Sequence, residues 1–165
     1  MREQYLRLYQ AAFNNAGRLV DDAEALYAAK RFPSAYALAF TALEEIAKSQ
    51  LAADVFTGFM TEEQFEKCYL SHAKKIGKMA WATDEAERYL DAPEGSYVDV
   101  EAPEVAHRMD AMYVSITGPK VVSPSDVIDE ARAKGIIHTV NVAIQALVVM
   151  TEVDGLPIGT KGFMK

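Results

Sequence analysis

The run Ser34-Ala-Tyr-Ala-Leu-Ala-Phe-Thr-Ala-Leu-Glu-Glu-Ile-Ala-Lys48 most constrains what this chain can fold into. Apolar residues recur there at Ala35, Leu38, Ala39, Ala42, Leu43, Ile46 and Ala47, which is helical spacing. On a helical wheel Tyr36, Phe40 and Leu51 widen that stripe over most of the circumference. A narrow seam of Ser34, Thr41, Glu44, Glu45 and Lys48 stays polar. A helix that is apolar nearly all round belongs at the centre of a bundle. Its charged groups must then be paired or used, because a lone buried charge is costly.

The periodicity predicts further helices on either side. A first helix is expected from Glu3 to Lys30, with a weak point at Asn14–Gly17. The second should start at Ser34 as N-cap and end near Phe56, before Gly58. Thr61-Glu-Glu-Gln64 reads as a capping box opening a long third helix towards Leu90, with Phe65, Cys68, Tyr69, His72 and Ile76 on its inner face. The stretch Asp91 to Pro103 reads as a loop, and Val105 to Met112 as a short helix. Tyr113–Val122 is the one plausible β segment, a hairpin turning at Gly118-Pro119 or an extended loop. Ser123-Pro124-Ser-Asp126 starts a last helix running to about Glu152. The fold expected is all-α: a single bundle of four to five helices over residues 1–152, with a short extended or hairpin insertion before the last helix. A loose Gly-rich tail covers 153–165.

The 165 residues suffice for one domain with a substantial core. A net charge of −7 argues against a broad basic face for DNA or non-specific nucleic-acid binding, while leaving room for a local RNA site. The single cysteine, Cys68, allows no intramolecular disulfide, which suits a cytoplasmic setting. The longest apolar run, Val140 to Met150, is too short to span a bilayer, so no membrane association is expected. The three histidines lack metal-ligand spacing and no phosphate-binding glycine loop is present, so neither a metal nor a cofactor is expected. The methionine and aromatic content exceeds what one small core needs, which points to a homodimer built on the last or first helix.

Three segments in series resemble the AbiV family of abortive-infection proteins, a branch of the HEPN helical superfamily. They are Ala42-Leu-Glu-Glu-Ile-Ala-Lys48, Ser71-His-Ala-Lys-Lys75, and Arg108-Met-Asp-Ala-Met-Tyr-Val114 followed by Ser123-Pro124 and a terminal helix. The resemblance spans roughly Asn15 to Val149. It implies a helical bundle and an antiphage effector that arrests translation in infected cells, with a phage-encoded activator as a partner. Many HEPN proteins are metal-independent ribonucleases that act as dimers. Their signature is an arginine and a histidine separated by four to six residues, a count that Arg132-Ala-Lys-Gly-Ile-Ile-His138 satisfies. The polar residue that usually follows the arginine is replaced by Ala133, and on one helix six positions set the two side chains about 120° apart.

Cleaving RNA without a metal takes a base for the 2′-hydroxyl, an acid for the leaving oxygen, and cations around the phosphorane-like transition state. Glu45, Lys48, His72, Lys75 and Arg108 supply those chemical types, with Arg132 and His138 as an alternative pair. Each also has a plain structural reading. Glu44 or Glu45 with Lys48 can be a surface ion pair worth roughly 0.3–0.5 kcal/mol. His72 can be a core histidine bonded to a neighbour, and Arg108 can brace Glu45 or cap a helix. His138, on the side of the last helix that carries Val127, Ala131 and Val142, can be buried or interfacial. Two functions therefore stand side by side: a ribonuclease effector, and a non-catalytic module that binds a phage or host protein with its Glu/Lys/His cluster purely structural.

Overall fold

The computed structural model describes residues 2–71 and 105–148. In chain order the elements are α1 (Arg2–Ala28), α2 (Phe32–Thr57), α3 (Glu62–Tyr69), α4 (Val105–Asp110), β1 (Ser115–Thr117), β2 (Lys120–Val122), α5 (Pro124–Val127) and α6 (Glu130–Val148). The protein is all-α, with a two-stranded antiparallel hairpin before the last helix, as expected. None of the described helices is long and apolar enough to cross a membrane.

Helix α2 is the spine. Nearly every residue from Ala35 to Val55 is buried, including Phe40, Leu43, Ile46 and Leu51. Helix α1 lies along one side of it, α6 along another, and α3 crosses near its C-terminal half. The inner stripe of α1 is Tyr5, Ala12, Ala16, Leu19, Val20 and Ala23. That of α6 is Ala133, Ile136, Val140, Ala143 and Leu147, the three- and four-residue spacing of one helix face. Polar ties close the α1–α6 seam from outside: Tyr27 Oη donates to Glu130 at 3.1 Å, and Asn141 Nδ2 to Glu24 at 2.7 Å. Desolvation, followed by the bond to the Glu130 carboxylate, raises the Tyr27 phenol above its ordinary value.

Helix boundaries follow local chemistry. The Asn14–Gly17 stretch stays helical, so α1 is continuous. It ends on Lys30, whose φ of 59° is left-handed; the Lys30 and Arg31 amides donate to the Tyr27 and Leu26 carbonyls. Glycine normally occupies such a position because its missing Cβ removes the steric penalty. Lys30→Gly is expected to raise stability by about 1 kcal/mol, read as a higher urea midpoint with an unchanged slope; no gain would mean the strain is absent.

Helix α2 begins at Phe32, two residues before the expected Ser34 cap. Pro33 sits in its first turn, where a missing N–H costs nothing. It ends as expected, on left-handed Gly58. Thr61 and Gln64 form the expected reciprocal capping box, Gln64 N–H donating to Thr61 Oγ1 at 3.2 Å and Thr61 N–H to Gln64 Oε1 at 2.9 Å. Helix α3 is shorter than the periodicity suggests: it stops at Tyr69, and the Ser71 amide turns back to the Cys68 carbonyl. The rest of the expected third helix and the loop after it lie outside the described residues.

The expected last helix is divided. Ser123 opens the single turn of α5, and its N–H and Oγ both donate to Asp126 at 2.7 Å. Ile128 then takes an extended conformation that sends its side chain into the core, and Asp129 caps α6 by accepting from the Arg132 amide at 2.9 Å. The two bonds from Ser123 hold the Asp126 carboxyl below its ordinary value, against a smaller opposing effect of desolvation. A lowered folded value stabilises above the unfolded value and is lost as the pH falls through the folded one. The stability advantage over Asp126→Asn should therefore persist above about pH 4 and disappear in stronger acid; a difference independent of pH would contradict it.

Candidate functional site

The polar seam of α2 is charged and largely covered. Glu44 is buried, at 4% exposure, and the Glu45 and Lys48 side chains keep 14% and 18% of theirs. Glu45 and Lys48 form an ion pair one turn apart. Lys48 Nζ also lies 5.7 Å from the centre of the Tyr69 ring on α3, within cation–π reach. Tyr69 stacks on Phe65 with centroids 5.3 Å apart, and Phe65 meets Tyr5 of α1 edge-on at 5.3 Å. The ammonium of α2 is thus held between a carboxylate and the end of an aromatic row that joins α3 to α1. Such a cation is satisfied and positioned; it can brace the helix packing or present charge at the half-exposed Tyr69 edge.

His72 and Lys75 lie outside the described residues. Arg108 stands on α4, which touches α2. Its Nε is buried without a hydrogen-bond partner, and among the described residues no ion pair joins it to Glu45. Brace of Glu45 is therefore not the role this geometry gives it.

Arg132 and His138 are both exposed on α6. Arg132 Nη1 donates to the Val127 carbonyl at 2.8 Å, which ties the guanidinium back across the α5–α6 break. His138 points outward because the stripe through Val140 faces α2, and two positions away on a helix is about 160° round. The wheel reading that joined His138 to Val142 holds for Val142, which is buried, and not for His138.

A family model, HEPN_AbiV, described as AbiV, matches residues 4–145. The chain belongs to the AbiV family of HEPN proteins. The match runs from the first turn of α1 to near the end of α6, so the α2 seam, Arg108, Arg132 and His138 of this AbiV protein all fall within it. No curated protein and no solved structure matches the chain. Family membership suggests an abortive-infection, HEPN-type function.

Two features of this AbiV chain escaped the sequence reading. Tyr69 is the partner of Lys48; its place on the inner side of α3 is legible from Phe65 four residues earlier, but the meeting with α2 is not. Ser49, Gln50 and Asp54 are further buried polar residues in the C-terminal half of α2, Gln50 and Asp54 on other faces of the helix. Ser49 Oγ donates to the Ile46 carbonyl at 2.7 Å and accepts from Gln50 Nε2 at 3.3 Å. Their short or amide side chains resemble surface residues in any hydropathy pattern, which hides them.

Proposed function

We propose that this AbiV-family chain is an antiphage abortive-infection effector that cleaves RNA without a metal ion, using Arg132 and His138. The exposure of both residues on α6, inside the family match, carries this reading. The imidazole takes the proton of a ribose 2′-hydroxyl as that oxygen attacks the adjacent phosphorus. The guanidinium stabilises the charge on the pentacovalent phosphate. The 5′ oxygen leaves with a proton supplied by water, giving a 2′,3′-cyclic phosphate and a 5′-hydroxyl, and the imidazolium returns its proton to solvent. Six positions rise about 9 Å along a helix, so one copy does not close both groups on a single phosphate. The reading therefore includes a homodimer in which a second α6 completes the site.

In this reading Glu45, Lys48 and Tyr69 hold α2 and α3 together and do not react. The test is expression toxicity and RNA integrity in cells, followed by cleavage with purified protein. His138→Ala should slow cleavage about a hundredfold while leaving helix content unchanged, since the residue is exposed. Undiminished cleavage in that variant overturns the assignment. A second reading, a non-catalytic module that binds a phage or host protein, is favoured by the covered, satisfied state of the Glu45–Lys48 pair. It predicts toxicity without RNA loss, insensitive to His138→Ala.

A further inference from the structure

The hairpin is inside out. Its register pairs Ile116 with Val121, so both side chains stand on one face, and they are 77% and 70% exposed. The other face carries the Ser115–Val122 and Thr117–Lys120 pairs, and the first of these is the half-buried one. A hairpin packed on a bundle normally turns its apolar face in and its polar face out. Here the apolar pair looks away from the protein, and among the described elements neither strand packs extensively on a helix. Among the described residues no helix covers this apolar face, and an isolated two-stranded hairpin is marginal in water. Its turn is nonetheless well formed: Gly118, at the first of the two turn positions, has a φ of 60°, which a type II′ turn requires.

We infer that this face is a self-docking surface, occupied by the same hairpin of a second copy of the chain. Exposed apolar side chains continue back from Ile116 through Val114, Tyr113, Met112 and Met109. Paired about a two-fold axis, these side chains and Val121 of each copy would meet their own counterparts, the kind of extended apolar patch that an interface of about 1,200 Å² or more in all requires. An antiparallel hairpin suits a two-fold axis, since each patch meets its own copy and the contact closes at two. The patch between Met112 and Thr117 carries no charge, so two chains of net charge −7 meet where repulsion is least. Strand β2 runs through Ser123 straight into α5 and α6. The axis therefore lies near the N-terminal ends of two α6 helices, the end that carries Arg132. The inference supplies the surface for the homodimer of the proposed reading and rests on that part of it alone, not on RNA cleavage.

The test is the solution mass of the full chain by light scattering at tens of micromolar, for wild type and for Ile116→Lys/Val121→Lys. Wild type should have twice the chain mass and the double variant one chain mass, with helix content unchanged because both residues are exposed on the single chain, and with a melting temperature that no longer rises with protein concentration. In a Cys68→Ser background, Ile116→Cys should cross-link to a dimer on mild oxidation, and a control cysteine at exposed Glu3 should not. A monomeric wild type overturns the inference, including the case where a different protein covers the patch. So does a double variant that remains dimeric, which would move the interface elsewhere. RNA cleavage is read separately, so either result leaves the ribonuclease reading to its own assay.

Discussion

Lys48→Ala is expected to destabilise the fold by about 2–4 kcal/mol, several times the cost of losing a surface pair. The substitution leaves the Glu45 carboxylate at 14% exposure without its cation and empties the contact over Tyr69. A fully buried pair broken on one side costs roughly 3–5 kcal/mol, and the residual exposure of both groups lowers that somewhat. Removing both charges is a different experiment. Glu45→Leu with Lys48→Met keeps the volume and leaves no orphan, so the double variant should recover most of the loss. Tyr69→Leu in a double-mutant cycle with Lys48→Met should show a coupling of about 0.5–1 kcal/mol from the cation–π contact. Urea unfolding reads all of these. A single-variant cost below about 0.5 kcal/mol would reduce the pair to an ordinary surface bridge.

Phe40→Ala should cost about 3–5 kcal/mol, a large share of the stability of a domain this size. Phe40 is completely buried in the N-terminal half of α2, with Tyr36 tilted against it at 6.2 Å between ring centres. Helices α1 and α6 flank α2 along much of its length, so the surroundings cannot collapse freely into the space left behind. Phe40→Leu, which keeps most of the volume, should cost less than about 1.5 kcal/mol. Thermal or urea melts would separate the two; equal, small losses would mean that α2 is less enclosed than its burial indicates.

The central place of α2 was legible before any coordinates, because apolar residues from Leu38 round through Ala42, Ile46, Leu43 and Phe40 to Leu51 cover about 220° of the wheel, far more than the stripe of an amphipathic surface helix. The Thr61–Gln64 box and the Gly58 stop were legible because each is decided within a few residues by donor, acceptor and φ requirements, whereas Gly118-Pro119 left a hairpin and an extended loop side by side until the β1–β2 pairing chose the hairpin. Boundaries set by packing were not. Ile128 leaves the helix as its side chain enters the core; Asp129 is a legible N-cap for α6, but the extended Ile128 before it is not announced in Ser123–Glu130. The end of α3 at Tyr69 was not legible either, since it falls in a stretch without glycine or proline.

For the site the division is sharper. Residue spacing established that Glu45 and Lys48 share a helix face and that Arg132 and His138 do not, since both follow from the fixed 100° step of the helix. It also carried the family resemblance that the match over residues 4–145 shows. Burial of Glu44, capture of Lys48 by Tyr69, the outward turn of His138 and the inverted hairpin depend on which face each element turns to its neighbours. A one-residue step changes a strand residue's face entirely and turns a helix residue by 100°, so local pattern constrains these choices weakly and long-range packing makes them.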